Sequence, residues 1–324
     1  MGLRKSSKEI ATEVLKIESD VLGKLSDHID EQFEKVVDRI FHSEGRLIVS
    51  GIGKSANVGT KIVATLNSTG TPAVFMHAAD ATHGDLGIIG KNDIVLIISK
   101  SGNTPEIKLL TSLVKNFGFP VIAMTSNKDS YLASHADYLL YLPVEKEADP
   151  FDLIPTASST AQMAMGDALA IAILHKRQFT QSDFAKFHPG GSLGKQLLLK
   201  VKNVLDHVQE EPPLVAPDTP LPEVIHEITA KRIGATAVMD QDRIAGIITD
   251  GDIRRMLRSH TRIDHIKAED IMTKNPKKIY EEDLASDAIK KMKANNINQL
   301  LVVDQNNRYR GIIHLHDLLK EGII

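Results

Sequence analysis

The chain reads as an α/β protein, a parallel sheet layered between helices and followed by a smaller tandem α+β pair. Three observations predict this. Five short runs rich in Val and Ile, near 46–50, 73–76, 94–99, 121–125 and 138–142, lack polar alternation, as strands buried on both faces do. Amphipathic stretches lie between them, which is the order of a parallel sheet with crossover helices. Beyond residue 200 the chain repeats itself with a period near 65 residues.

In chain order, residues 6–43 are predicted to be helical. Ser6 with Glu9 forms a capping box, and Ile10, Val14, Ile17, Val21, Leu22 and Leu25 recur at helical spacing. A second helix carries Phe33, Val36, Val37 and Ile40. The five strands follow with their helices, and Ala-rich 157–176 reads as a long buried helix that closes the sheet domain. After His188-Pro189-Gly190-Gly191 the character shifts: Arg243–Ile253 is echoed by Arg308–Leu318, and Val204-Leu205 by Ile271-Met272. The expected divisions are N-terminal helices at 1–36, a sheet domain at 37–180, a linker carrying His188 at 181–203, and two repeat copies at 204–263 and 270–324.

Composition narrows the function. The 324 residues include 39 basic and 42 acidic side chains, for a formal charge of −3, so no basic face is expected and nucleic acid is an unexpected partner. The N-terminal helices carry Glu9, Glu13, Glu18, Asp20, Asp27, Asp30 and Glu31, which would repel a phosphate backbone. No cysteine is present, which excludes disulfides, thiolate metal sites and a cysteine nucleophile. No apolar run approaches the ~20 residues that span a bilayer, and Met1 to Ser7 carry no apolar signal region; a cytoplasmic protein without a membrane partner is expected.

Two turns carry most of the functional information. Leu47–Val49 runs into Ser50-Gly51-Ile52-Gly53-Lys54-Ser55, and Ile94–Ile98 into Ser99-Lys100-Ser101-Gly102-Asn103-Thr104. In each, a buried strand stops at glycine and hydroxyl residues and a helix begins. The first N–H groups of a helix lack intrahelical acceptors and sit at its positive end, so such turns grip phosphate. Ser50, Ser55, Ser99, Ser101 and Thr104 are the candidate hydroxyl contacts, and Lys54 the candidate cation. Gly53-Lys54-Ser55 is no P-loop, because Ile48 stands where that motif needs glycine. The competing reading is a pair of plain strand-to-helix turns, with Glu106 complementing a helix dipole. His77, Asp80, His83 and Asp85 could hold a divalent ion or face solvent. Glu147 follows the last strand, where carboxylates project into the crevice that open α/β sheets use for ligands. His188, set among proline and glycine, suits proton transfer near neutral pH.

Together, the turns Gly51-Ile52-Gly53-Lys54-Ser55 and Ser99–Thr104, the loop His77–Gly87, the segment Pro155–Thr160 and the segment His188–Gly194 resemble the arabinose-5-phosphate isomerase family, over nearly the whole chain. That family joins a sugar isomerase (SIS) domain, here with a five-stranded parallel sheet flanked by helices, to two cystathionine-β-synthase (CBS) modules. The resemblance implies interconversion of D-ribulose 5-phosphate and D-arabinose 5-phosphate, on the route to the lipopolysaccharide sugar Kdo, in a homotetramer. It places Lys54, Glu106, Glu147 and His188 at catalytic positions and Gly70, Thr71 and His83 at substrate contacts. It also makes His77 a zinc position whose occupancy inhibits, with no cofactor required. Lys100 stands where the family frequently has an uncharged residue, and Asp149 replaces a common cysteine. Thr249 and Asp252 resemble the CBS nucleotide motif; in the second copy Asp317 is kept and His314 replaces the threonine. A nucleotide or nucleotide-sugar is the ligand this implies, with pure assembly the alternative. The rival function is a non-catalytic or differently specific sugar-phosphate sensor or isomerase with the same domain.

Overall fold

The structure is a computed structural model that describes residues 5–208, 211–259, 263 and 265–323. Two compact units divide at residues 184 and 185.

The first unit begins with α1 (Ser7–Asp27) and α2 (Glu31–Phe41). The Ser6 and Glu9 capping box is formed at the start of α1, and Asp30 caps α2 by accepting the Gln32 N–H at 2.9 Å. Five parallel strands follow: β1 (Leu47–Gly51), β2 (Ala73–His77), β3 (Ile94–Ile98), β4 (Val121–Thr125) and β5 (Tyr138–Tyr141). Between and after them lie α3 (Lys54–Ser68), α4 (Pro105–Asn116), α5 (Tyr131–His135) and α6 (Ala157–Lys176). The sheet order is β2-β1-β3-β4-β5.

Alternate strand residues enter two separate cores, the period-2 consequence of a pleated sheet. Leu47, Val49, Leu96, Ile98, Ile122 and Met124 pack with α1, α2, α3 and α6, while Ile48, Val95, Ile97, Val121 and Ala123 pack with α4 and α5. Burial of both faces explains the unbroken apolar runs. Val21, Leu25, Val36, Val37 and Ile40 belong to the first of these cores, so the N-terminal helices are a layer of the sheet unit.

The order 2-1-3-4-5 decides where a ligand goes. From β1 the chain winds outward to β2 on one side and to β3, β4 and β5 on the other. The connections leaving β1 and β3 therefore diverge and open a crevice at the carboxyl ends of those two strands. Both hydroxyl-rich turns lie at that crevice.

The second unit carries α7 (Gln181–Phe187) across its start, then α8 (Ser192–Leu198) and α9 (Val201–Val208). One copy of the repeat has β6 (Leu214–Val215), α10 (Leu221–Lys231), β7 (Ala235–Asp240), β8 (Arg243–Thr249) and α11 (Asp250–Ser259). After α12 (Ala268–Ile271) and β9 (Thr273–Lys274), the other has β10 (Lys278–Tyr280), α13 (Ala285–Asn295), β11 (Gln299–Val303), β12 (Tyr309–His314) and α14 (Leu315–Lys320). The repeat extends to fine detail: a register shift falls at Val238/Met239 and again at Val302/Val303, and α10 and α13 both end on a left-handed residue, Arg232 and Asn296. Each copy borrows its leading segment. Val201, Val204 and Leu205 of α9 sit in the second copy's core, while Ile266 and Ala268 sit in the first copy's, and β9 pairs with β8. Ala235, Ala237, Ile247, Leu301 and Ile312 join the copies in a shared core.

Candidate active site

At the carboxyl end of β1, Ser50 is fully buried and its hydroxyl has no hydrogen-bond partner among the described residues. Gly51 is needed there because a Cβ would meet the Ser55 carbonyl at 3.1 Å, so helix α3 starts directly against the strand. Its N-cap, Gly53, adopts φ +59 and offers no capping side chain, leaving the N–H groups of the first turn, around Lys54 and Ser55, facing outward. Lys54 is exposed and lines an open cleft of roughly 540 Å³ with Gly53, Asn57, Thr60, Phe75 and His77.

The β3 turn is built likewise. Ser99 is buried and accepts the Gly102 N–H at 3.1 Å; Gly102 has φ +66, and a Cβ there would lie 2.3 Å from Ser130 Oγ. Ser101 accepts the Asn103 N–H at 3.4 Å and remains exposed. Thr104 is the N-cap residue of α4 and Pro105 its first helical residue, yet the Thr104 hydroxyl caps nothing and is buried without a partner among the described residues. Helix α4 thus also presents an uncapped positive end. Glu106 sits half-buried in its first turn.

A third hydroxyl completes the pattern. Ser126, immediately beyond β4, has a buried Oγ without a partner among the described residues. Buried polar atoms are nearly always paired, so three orphan hydroxyls at the carboxyl ends of three neighbouring strands call for a polar ligand. Sequence reasoning missed Ser126. The signal was available, because Val121–Met124 ends in Thr125-Ser126-Asn127 as the other strands end in hydroxyls.

Glu147 is treated differently from a free acid. It is 3 % exposed, and its Oε2 accepts the N–H groups of Thr156 at 2.9 Å and Ser158 at 3.0 Å. It therefore supplies the cap that α6 obtains from no side chain of its own N-cap, Thr156. Its Oε1 lies 2.8 Å from Lys100 Nζ. Burial works against the charge, but the Lys100 ammonium and the Ser158 and Thr156 donors outweigh it and hold the carboxyl at a pKa of about 2. Asp152 accepts the Glu147 N–H at 2.6 Å and lies 3.7 Å from Lys100 Nζ. Neither Lys100 nor Asp152 was a candidate from sequence.

Of the remaining candidates, His77 shares the Lys54 cleft. Gly70 and Thr71 precede β2 and line a small cavity with Gly45, Arg46, Pro72 and Ile94, at the amino end of the strands. A single chain does not bring them to the β1 and β3 turns. His83 is exposed in a short 3₁₀ turn, Asp80–His83. His77 ends β2 with Nδ1 3.8 Å from Asp80 Oδ2. Among the described residues no group of three or more His, Cys, Asp or Glu is placed to hold a metal, so one chain offers zinc two donors where a tetrahedral site takes three or four. The residues present do not by themselves fit that ion. His188 belongs to the second unit, where its carbonyl accepts the Gly191 N–H at 3.2 Å, and Gly194 is packed so tightly on that carbonyl that a Cβ would lie 2.1 Å away.

In the repeat unit, Thr249 donates to Asp252 Oδ2 through N–H at 2.9 Å and hydroxyl at 2.6 Å, and Arg255 pairs with Asp252 Oδ1. These side chains line a cleft of roughly 300 Å³ between the copies, with Thr273, Lys277 and Gln299. In the second copy His314 caps α14 by accepting the His316 N–H, and burial lowers its pKa; Asp317 lies 3.9 Å from Lys320.

A 2-1-3-4-5 parallel sheet with two uncapped helix starts at its switch point, followed by an interlocked repeat pair, defines a SIS domain protein with tandem CBS domains. The SIS domain model matches residues 40–172, and the CBS domain model matches 201–259 and 268–323. The chain belongs to the arabinose 5-phosphate isomerase family. It is 45% identical over 314 residues to a Haemophilus influenzae protein named probable arabinose 5-phosphate isomerase, covering 97% of this chain and 92% of that one. It is 44% identical to the Pseudomonas aeruginosa arabinose 5-phosphate isomerase KdsD, covering 97% and 96%. Among solved structures, E. coli CFT073 c3406, solved with a sugar-phosphate ligand, is 34% identical with a TM-score of 0.55, covering 57% of this chain and all of that one.

Proposed function

We propose that the chain interconverts D-ribulose 5-phosphate and D-arabinose 5-phosphate through an enediol, supplying the Kdo branch of lipopolysaccharide synthesis. The observation that carries this reading is the subset of orphan hydroxyls at the carboxyl ends of the strands, Ser50, Thr104 and Ser126, around two uncapped helix starts; a fourth, Thr71, lies at the amino end. They provide donors for a phosphorylated polyol, and the family relatives named above share that substrate in their names.

Aldose–ketose isomerisation moves a proton between adjacent carbons with no net oxidation, so it needs a phosphate anchor, a base and a donor for the enediolate oxygen, and no redox cofactor. The two helix starts with Ser55, Ser99 and Ser101 anchor the phosphate. Lys54, exposed at the edge of the cleft, stabilises oxyanion charge. Glu147 is held as the anion by Lys100 and the Thr156 and Ser158 donors. His188 is the proposed proton carrier, with Glu106 and His83 as further contacts.

The enzyme works in the cytoplasm as a homotetramer in this reading. No described helix is long and apolar enough to cross a membrane, and exposed apolar side chains on α1 (Ile10, Leu15) and at Phe151, Leu153 and Ile154 are surfaces that further copies would cover. The Thr249 and Asp252 cleft is the proposed nucleotide or nucleotide-sugar site, its Arg255 and Lys277 suiting an anionic ligand.

The test is an NMR assay of purified protein in D₂O with ribulose 5-phosphate beside other ketose phosphates. A steep preference for the five-carbon sugar, lost on H188A while sugar-phosphate binding survives, is expected. Binding without turnover by the wild-type protein would favour a sensor instead.

A further inference from the structure

We infer that Lys100 is a positioning residue of this site: bridging Glu147 and Asp152, it clamps the β3 phosphate turn to the 143–156 connection and keeps Glu147 a fixed anion rather than a proton carrier. The inference rests on the isomerase reading above and adds a residue and a role to it.

Lys100 lies inside the turn whose neighbours, Ser99 and Ser101, are proposed to hold the phosphate. Its backbone is pinned, because its carbonyl accepts the Ser126 N–H at 3.1 Å and the Thr125 hydroxyl at 3.0 Å. Its ammonium reaches the other side of the crevice, 2.8 Å from Glu147 Oε1 and 3.7 Å from Asp152 Oδ1. Glu147 is held by both kinds of partner: Oε2 takes the Thr156 and Ser158 N–H groups, its own N–H donates to Asp152 Oδ1, and Oε1, which makes no hydrogen bond among the described residues, pairs by charge with Lys100. The charged groups facing it are Lys100 and Asp152; Thr156 and Ser158 are neutral donors.

One oxygen of that carboxylate is committed to backbone donors, and the other, without a hydrogen bond among the described residues, is neutralised by the Lys100 ammonium. The carboxylate holds the start of α6, and through Lys100 it holds the turn. Asp152 reaches its place with φ +54, in the left-handed region, so the connection is bent to bring a second carboxylate to the same ammonium. A buried carboxylate whose cation is removed reverts towards protonation, and a mispositioned reacting group loses turnover before it loses ground-state binding.

The experiment compares wild type, K100M, K100R and K100M/E147Q by the pH dependence of kcat and KM and, separately, of melting temperature. The folded pKa of Glu147 is depressed, so its contribution to stability is present above its unfolded value near 4.5 and is lost as pH falls through about 2. In K100M both the acid limb of kcat and the acid loss of stability should move upward by about one pH unit or more. Turnover should fall about 10- to 100-fold with KM little changed. K100R should restore both, and K100M/E147Q should lose the shifted acid transition. A K100M protein with a wild-type acid limb and melting profile overturns the inference, and so does a rise in KM alone, which would make Lys100 a phosphate contact. If K100M does not fold, K100Q is read by the same criteria, and recovery of folding in K100R but not K100Q supports the clamp while recovery in both refutes it. Absence of isomerase activity in wild type would fail the parent reading instead, with the melting profiles still deciding the clamp.

Discussion

Replacing Ser50 by alanine should make the ligand-free protein more stable and its ligand weaker. The hydroxyl is fully buried and unpaired among the described residues, and leaving a buried polar group unsatisfied costs about 1–3 kcal/mol. Ser50 lies in β1 between Met76 of β2 and Ile97 of β3, an apolar setting that a methyl group fits. S50A should therefore stabilise the first unit by about 1 kcal/mol or more, which for a unit of this size is a rise of about 2–4 °C in melting temperature. If the same hydroxyl donates to a sugar-phosphate oxygen, its loss removes a charge-assisted bond of about 1.5–3 kcal/mol, or about 10- to 150-fold in affinity. Scanning fluorimetry without ligand and titration calorimetry with arabinose 5-phosphate measure the two effects. A lower melting temperature with unchanged affinity would show that Ser50 serves the fold, and would refute the inference from orphan hydroxyls to ligand.

Other outcomes follow from single positions. G102A places a Cβ 2.3 Å from Ser130 Oγ at φ +66, so it should cost about 2–4 kcal/mol in a denaturant melt and weaken phosphate binding with it. Metal removal with a chelator should leave turnover intact, read from initial rates; loss of activity in chelator would contradict this. Adenine nucleotides or nucleotide-sugars should raise the melting temperature of the wild-type protein but not of D252A, whose cleft loses the partner of Thr249 and Arg255.

Much of this was legible in the sequence because the determinants are local. Strand ends such as Ile98 and Thr125, and the bounds of α6, follow from apolar runs meeting glycine, proline and hydroxyl residues. The two turns into uncapped helix starts were legible for the same reason, as was the repeat. What escaped depends on chain segments distant in sequence. Lys100 and Glu147 meet only because β3 and β5 end at the same edge of the sheet, and nothing in either neighbourhood announces the pair. Gly70 and Thr71, carried over by resemblance, fall at the opposite edge in one chain because they precede β2 rather than follow it. The exchange of α9 into the second repeat copy is likewise non-local, since Val204 and Leu205 carry the same amphipathic pattern whichever core they enter. Thr104 shows a finer limit: its position as N-cap is written in the sequence, whereas its hydroxyl turning away from the helix is a rotamer choice.

The most direct measurement is a crystal structure of the full chain with arabinose 5-phosphate. The account expects the phosphate at the starts of α3 and α4, with Ser50, Thr104 and Ser126 newly hydrogen-bonded to ligand or to ligand-bound water. A phosphate seated at the amino end of the strands, beside Gly70 and Thr71 of the same chain, with the three hydroxyls still unpaired, would contradict it.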